Sequence, residues 1–184
     1  MDYRKYKISR NLAWEILLRE GVCELPVSTS RLCRKMGVNL AYGETGLRSV
    51  GFSTVVNGTM YIVIRQGMNA GRTRFTVAHE LGHILLGHVG TYRLVNREPS
   101  ESDNPIEHDA NVFASRLLAP ACVLWGCGAR TAEEIADLCN ISLQAARIRS
   151  ERMEVLYERN KFLTSPLERK VYNQFLPFIC SHRR

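Results

Sequence analysis

Phe75-Thr76-Val77-Ala78-His79-Glu80-Leu81-Gly82-His83-Ile84-Leu85-Leu86-Gly87-His88 is the stretch on which the reading of this chain turns. It sets a His-Glu-x-x-His pattern among apolar residues. On a helix, His79 and His83 are four positions apart and share a face. Two imidazoles so placed can hold one tetrahedral Zn²⁺, while Glu80, one position round, can activate water for attack. The plainer alternative is a helix carrying two partly exposed histidines. Choosing between them needs a third ligand elsewhere in the chain.

His88 is the nearest candidate, but it follows His83 by five residues. The HExxHxxGxxH pattern needs six, with Gly where this chain has Leu86, and helix geometry places His88 poorly for the same ion. Glu107 is the better candidate. It lies on a separate helix that starts at Asn104-Pro105, with Pro at the first helical position. Asn111, four residues on, shares its face. A Glu ligand followed at i+4 by a side chain that orients a ligand His is the arrangement of thermolysin-like zincins. Whether Asn111 would orient His79 or His83 is not decided by spacing. Glu107 has a competing use as the acid of a capping box begun by Asn104, unless Ser102 or Asp103 supplies the cap. His108 and Asp109 project from other sides of that helix.

Working outward from the motif, Phe52 to Val56 and Thr59 to Arg65 flank Asn57-Gly58, a strong short hairpin signal. Val38 to Tyr42 reads as a further strand, preceded by helices over 9–20 (closed by Gly21) and from Ser28 to Met36 (closed by Gly37). The motif helix is expected to start between Arg72 and Thr76 and to bury Phe75, Ala78, Leu81 and Leu85. Residues 90–104 are polar and lack periodicity, with Glu98 to Asn104 expected as a mobile surface loop, and Cys122 to Arg130, with Gly126 and Gly128, reads as a linker. Thr131 to Glu134 forms a capping box for a helix through Cys139, and Ser142 starts a longer one reaching 157–160. A last amphipathic segment runs from Leu167 to Phe178. These elements suggest a first domain over 1–120 and a helical one over 121–184.

The 184 residues, 45% of them hydrophobic, can bury a substantial core. No run of apolar residues reaches membrane-spanning length and no signal-peptide core opens the chain, so a cytoplasmic protein without a membrane partner is expected. Six cysteines without a CxxC pair read as reduced, several of them in the core. The net charge of +7 is spread evenly: residues 1–120 carry 15 basic and 11 acidic side chains, and residues 121–184 carry 10 and 7. Charge alone therefore does not argue for nucleic acid.

Arg74 to His83, followed by Glu107-His108-Asp109-Ala110-Asn111-Val112-Phe113-Ala114-Ser115-Arg116-Leu117-Leu118-Ala119-Pro120, resembles the ImmA/IrrE family of metallopeptidases. The hairpin before it and the segment Thr131 to Arg149 also match that layout, over roughly residues 38–150. Ala119 departs from the Met often found there, which touches no ligand. The resemblance implies an α+β fold, with a minimal zincin-like core of a small antiparallel sheet and the HExxH helix. It also implies His79, His83 and Glu107 as zinc ligands, Glu80 as general base, and cleavage of a helix-turn-helix repressor that controls a mobile element or stress regulon.

An extended substrate needs a sheet edge, and Thr59 to Arg65 is the strand expected to offer it, although it can equally be interior. Tyr92, His88 and an arginine are candidates for the oxyanion. The rival reading is a DNA-binding or repressor-binding regulator without proteolysis. Thr131 to Arg149 resembles a helix-turn-helix, with Asn140 at a left-handed turn and Arg147, Arg149 and Arg152 on the second helix. Packing or substrate recognition is the preferred use of those helices.

Overall fold

The most apolar strand of the chain, Thr59–Arg65 (β3), takes the centre of a three-stranded sheet, with Ile62 and Ile64 fully buried. In the computed structural model, which describes residues 3–43, 49–89 and 104–183, its neighbours are Val38–Gly43 (β1) and Gly51–Val56 (β2), in the order β1-β3-β2. Val55 and Val56 at the end of β2 and Tyr42 in β1 are exposed, so these two strands make the edges. The β2–β3 hairpin is antiparallel, and Asn57 (φ 50°) with Gly58 (φ 77°) supplies the two left-handed residues of its turn. β1 pairs with β3 in parallel, Val38 opposite Met60. The sheet is therefore mixed, not wholly antiparallel. The strand expected as the substrate edge is interior, because it is the one that can bury both of its neighbours' flanks.

Ala70–Leu85 (α3) lies against β2 and β3, and Thr29–Lys35 (α2) against β1. The Ser28 hydroxyl caps α2 and Gly37 follows it at φ 68°. α3 begins earlier than expected, because Asn69 Oδ1 accepts from Arg72 N (2.9 Å) and adds a first turn at Ala70. Its burial is not a stripe. Every residue from Thr76 to His83 is buried, whereas Phe75 and Leu85 at the two ends are half-exposed. Pro105–Leu118 (α4) begins as read, with Asn104 Oδ1 accepting from Ile106 N. The loop expected over 98–104, Ser102 and Asp103 included, lies outside the described residues except for Asn104, as do residues 44–48 and 90–97.

The chain divides into two compact units. One comprises Met1–Ser9 and Ser28–Ala114, and contains the sheet, α2, α3 and the first turns of α4. The other comprises Arg10–Val27 and Ser115–Arg184. Most of the first helix, Tyr3–Arg19 (α1), thus belongs with the C-terminal half. Gln174 Nε2 ties the two stretches, donating to the carbonyls of Leu17 and Val22, each at 2.7 Å.

The second unit corrects one expectation. Cys122 to Arg130 is not a linker, because Ala121–Cys127 (α5) is a helix with Ala121, Cys122, Val123, Leu124 and Cys127 buried. Gly128 (φ 76°) ends it in the left-handed cap. Gly126 is a packing glycine: a Cβ there would come within 2.8 Å of Tyr172 and 2.9 Å of Ile179. Those residues lie on Pro166–Gln174 (α8) and Leu176–His182 (α9), two helices where the sequence suggested one. Ala132–Cys139 (α6) carries the full Thr131/Glu134 capping box, and Leu143–Glu158 (α7) is capped by Ser142. The stretch Pro105–Cys127 has an 18-residue window with a mean hydropathy of 1.3, but 78% of that window is buried. Pro120 also divides it, and the 14 residues of α4 extend about 21 Å, short of the roughly 30 Å hydrocarbon core.

Candidate metal centre

Two histidines one helical turn apart approach each other edge to face, with ring centroids 4.7 Å apart and Nε2 atoms 3.0 Å apart. Both are His residues of α3, His79 and His83, and both are buried. Glu107 in the first turn of α4 meets them. Its Oε2 lies 3.1 Å from His79 Nε2 and its Oε1 lies 3.4 Å from His83 Nε2. The carboxylate thus sits at the histidines, and His79, His83 and Glu107 offer one donor atom each within 4.8 Å of one another, a group that can hold a metal ion. With metal–ligand bonds of 2.0–2.2 Å, the donor–donor edges of a tetrahedron are about 3.3–3.6 Å long. The Nε2–Nε2 edge and the His79 Nε2–Glu107 Oε2 edge, 3.0 and 3.1 Å, fall just below that range and need open by only a few tenths of an ångström, while the 3.4 Å contact of His83 is made with the other carboxylate oxygen.

Close approach of α4 to α3 depends on Gly82, the second variable residue of the motif. A Cβ at Gly82 would lie 3.0 Å from Cδ1 of Phe113, a fully buried ring on α4. Glycine lets the two helices meet there, and Glu107 reaches the histidines from the same helix as Phe113.

The outer nitrogens of both imidazoles are also engaged. His79 Nδ1 lies 2.9 Å from Asn111 Oδ1, which resolves the choice that spacing left open. The Asn oxygen can only accept, so this contact puts the proton on Nδ1 and leaves the Nε2 lone pair for a metal. His83 Nδ1 lies 3.0 Å from His88 Nδ1, with ring centroids 5.1 Å apart. His83 donates from Nδ1 if its Nε2 lone pair faces the site, and His88 then accepts as a neutral imidazole. Burial first, and the neighbouring His83 next, hold the His88 pKa below its ordinary 6.5, against the raising effect of Asp109 and Glu107. His88 is thus beside a candidate ligand as its partner. Sequence spacing rejected it as a third donor; an outward position in the turn after α3 was the signal for this other role.

Glu80 faces the sheet and is fully buried. Ser53 on β2 donates its hydroxyl to Glu80 Oε2 at 2.9 Å. Nothing in the local sequence marks Ser53, since it sits 27 residues before Glu80 and is linked to it only through the packing of β2 on α3. Tyr92 lies outside the described residues. Of the three arginines expected on the second helix of the helix-turn-helix-like pair, α7, Arg149 is buried and its Nε donates to the Ala119 carbonyl at 2.8 Å. It therefore belongs to the interior of its own unit, while Arg147 is exposed. Asn140 adopts the left-handed conformation (φ 49°) between α6 and α7.

Residues 33–151 match the family described as the IrrE N-terminal-like domain, a peptidase family. No curated protein matches the chain.

Proposed function

This chain belongs to the family of IrrE N-terminal-like peptidase domains, and from that premise we propose that it is a zinc-dependent endopeptidase that cuts a helix-turn-helix transcriptional repressor. The observation that carries the reading is the convergence of His79 Nε2, His83 Nε2 and the Glu107 carboxylate beside the buried Glu80. Two imidazoles and one carboxylate are the donors of a zinc site that keeps a fourth position open. When bound, the ion supplies Lewis acidity that polarises a carbonyl and eases the ionisation of water.

The chain's own residues perform the rest. His79 and His83 keep their Nε2 atoms on one point because Asn111 and His88 hold the far side of each ring. Glu80 accepts a proton from water as its oxygen bonds to the peptide carbonyl carbon, and passes that proton to the leaving amine as the C–N bond breaks. An extended substrate adds to the sheet along β2, the edge strand that packs on α3, with Val55 and Val56 exposed on it. All six cysteines are free thiols, which suits action in a reducing cytoplasm.

The test is co-expression with helix-turn-helix repressors as candidate substrates. We expect one zinc per chain and a single cut in the repressor, with Glu80→Gln keeping the zinc and abolishing the cut. Protein that binds no stoichiometric metal, or a cut that survives Glu80→Gln, overturns the reading.

A second reading has the chain bind its repressor, or DNA, without cutting. The left-handed Asn140 between two capped helices supports a helix-turn-helix-like pair. The exposed face of α7 carries Leu143, Ile148, Arg147 and Glu151, a mixture better suited to protein than to phosphates. A salt-sensitive gel shift on a defined DNA site would favour DNA instead.

A further inference from the structure

The Ser53–Glu80 contact is the second of two rungs between β2 and α3. Two strand residues advance about 6.6 Å and four helical residues about 6 Å, so positions 51 and 53 keep pace with positions 76 and 80. The first rung brings strand and helix as close as they can come, since a Cβ on Gly51 would lie 2.7 Å from Thr76 Cγ2. At the second rung that spacing puts the Ser53 hydroxyl 2.9 Å from Glu80 Oε2, on a carboxylate with no exposure to water. A buried carboxylate without hydrogen bonds is costly, and a hydroxyl is the smallest donor that fits between a strand and a helix this close.

Resting on the peptidase reading above, we propose that Ser53 is a positioning residue for the general base. Its O–H anchors Oε2 of Glu80, stops the carboxylate from rotating, and so fixes the direction in which the second oxygen takes and returns the proton. Ser53 lies on the edge strand, so the strand that would pair with the substrate also holds the base. Base and scissile bond are then placed by one element. Ser53 touches none of the three metal donors, and its loss acts on proton transfer and not on metal binding.

The test uses the full-length chain, zinc alone as the binding probe, and the repressor found by co-expression as substrate. Ser53→Ala is expected to bind one zinc with wild-type affinity, to lower kcat about 10–100-fold and to leave KM within about twofold. Ser53→Thr keeps the hydroxyl and suits a strand, and should restore kcat to within about threefold. In the metal-free protein, the effects of Ser53→Ala and Glu80→Ala on the melting temperature should be non-additive, because each removes the same contact. Should Ser53→Ala fail to fold, Ser53→Cys keeps the volume with a weaker donor and should show the same loss of kcat. A Ser53→Ala enzyme with wild-type kcat overturns this proposal alone. So does a threonine variant as impaired as alanine, or a fall in zinc affinity matching the fall in kcat. A wild-type chain that binds zinc and cuts nothing overturns the peptidase reading, and this proposal with it.

Discussion

His79 and His83 differ in what holds them from behind, and that difference can be measured. Asn111 is an amide acceptor on α4, while His88 is an imidazole in the turn after α3. Partners of this kind are typically worth 10–100-fold in metal affinity, so Asn111→Ala and His88→Ala should each weaken zinc binding by about that factor in a competition titration. His108→Ala, at a half-exposed neighbour 3.8 Å from Asp109, should leave it unchanged. The cysteines give a second prediction at this scale. Burial pushes the Cys33 thiol up to about 11 and the Cys122 thiol up to about 12, from 9.0. A folded-state pKa above the unfolded one stabilises the fold below pH 9, and that stability is lost as pH rises from 9 through 11–12. Thiol reagents near neutral pH should therefore modify exposed Cys23 and Cys180 quickly and the four buried cysteines only on unfolding, and alkaline pH should lower the denaturation midpoint. The convergence of the three candidate donors was legible in the sequence because helical spacing pairs His79 with His83, and Asn104-Pro105 starts the helix that carries Glu107. Ser53 was not, because it acts through a contact that only the packing of β2 on α3 creates, whereas the contact of His88 with His83 spans five residues in the turn that ends α3.

Helices and strands were legible where their signals are local. The Asn57-Gly58 turn, the Thr131 capping box and the Ser142 cap all stand where short-range chemistry puts them. The order of strands was less so. Which strand takes the centre depends on packing across the whole sheet, with α3 against β2 and β3 and α2 against β1, and the central place goes to β3, which buries Ile62 and Ile64. Glycines in close packing are equally hard to read, since their partners lie far away in the chain. Gly126 meets Tyr172 and Ile179, and Gly82 meets Phe113. Alanine at 82 would gain about 1 kcal/mol of helix propensity, but overpacking against a fully buried ring costs typically 1–3 kcal/mol. The strain falls on the α3–α4 contact that delivers Glu107. Gly82→Ala should therefore lower zinc affinity with all three donors still present, and a titration that finds wild-type affinity would show that α4 is held by other contacts.

At the scale of the whole chain, the two compact units are discontinuous in sequence, and the three candidate metal donors all lie in one of them. Zinc at 100 times its dissociation constant should stabilise the protein by about 2.7 kcal/mol. Protection from hydrogen exchange should then rise chiefly in residues 28–114, and Glu107→Ala should remove most of the gain. The other unit assembles Arg10–Val27 with Ser115–Arg184, a pairing with no local signal in either stretch. Ala13, Trp14, Ile16 and Leu17 are buried, and Gln174 supplies a polar tie from its Nε2 to the Leu17 and Val22 carbonyls. Each carbonyl takes one amide hydrogen, so both donors of the same NH₂ group are used. Losing two half-buried hydrogen bonds costs about 1–3 kcal/mol, a sizeable share of the 5–15 kcal/mol that holds a typical domain. Gln174→Ala should lower the unfolding free energy, measured by denaturant titration, by that amount, while Gln174→Glu, which keeps the length but offers no donor at neutral pH, should be at least as damaging. Zinc affinity should not change in either variant, since no donor atom belongs to the unit that is weakened.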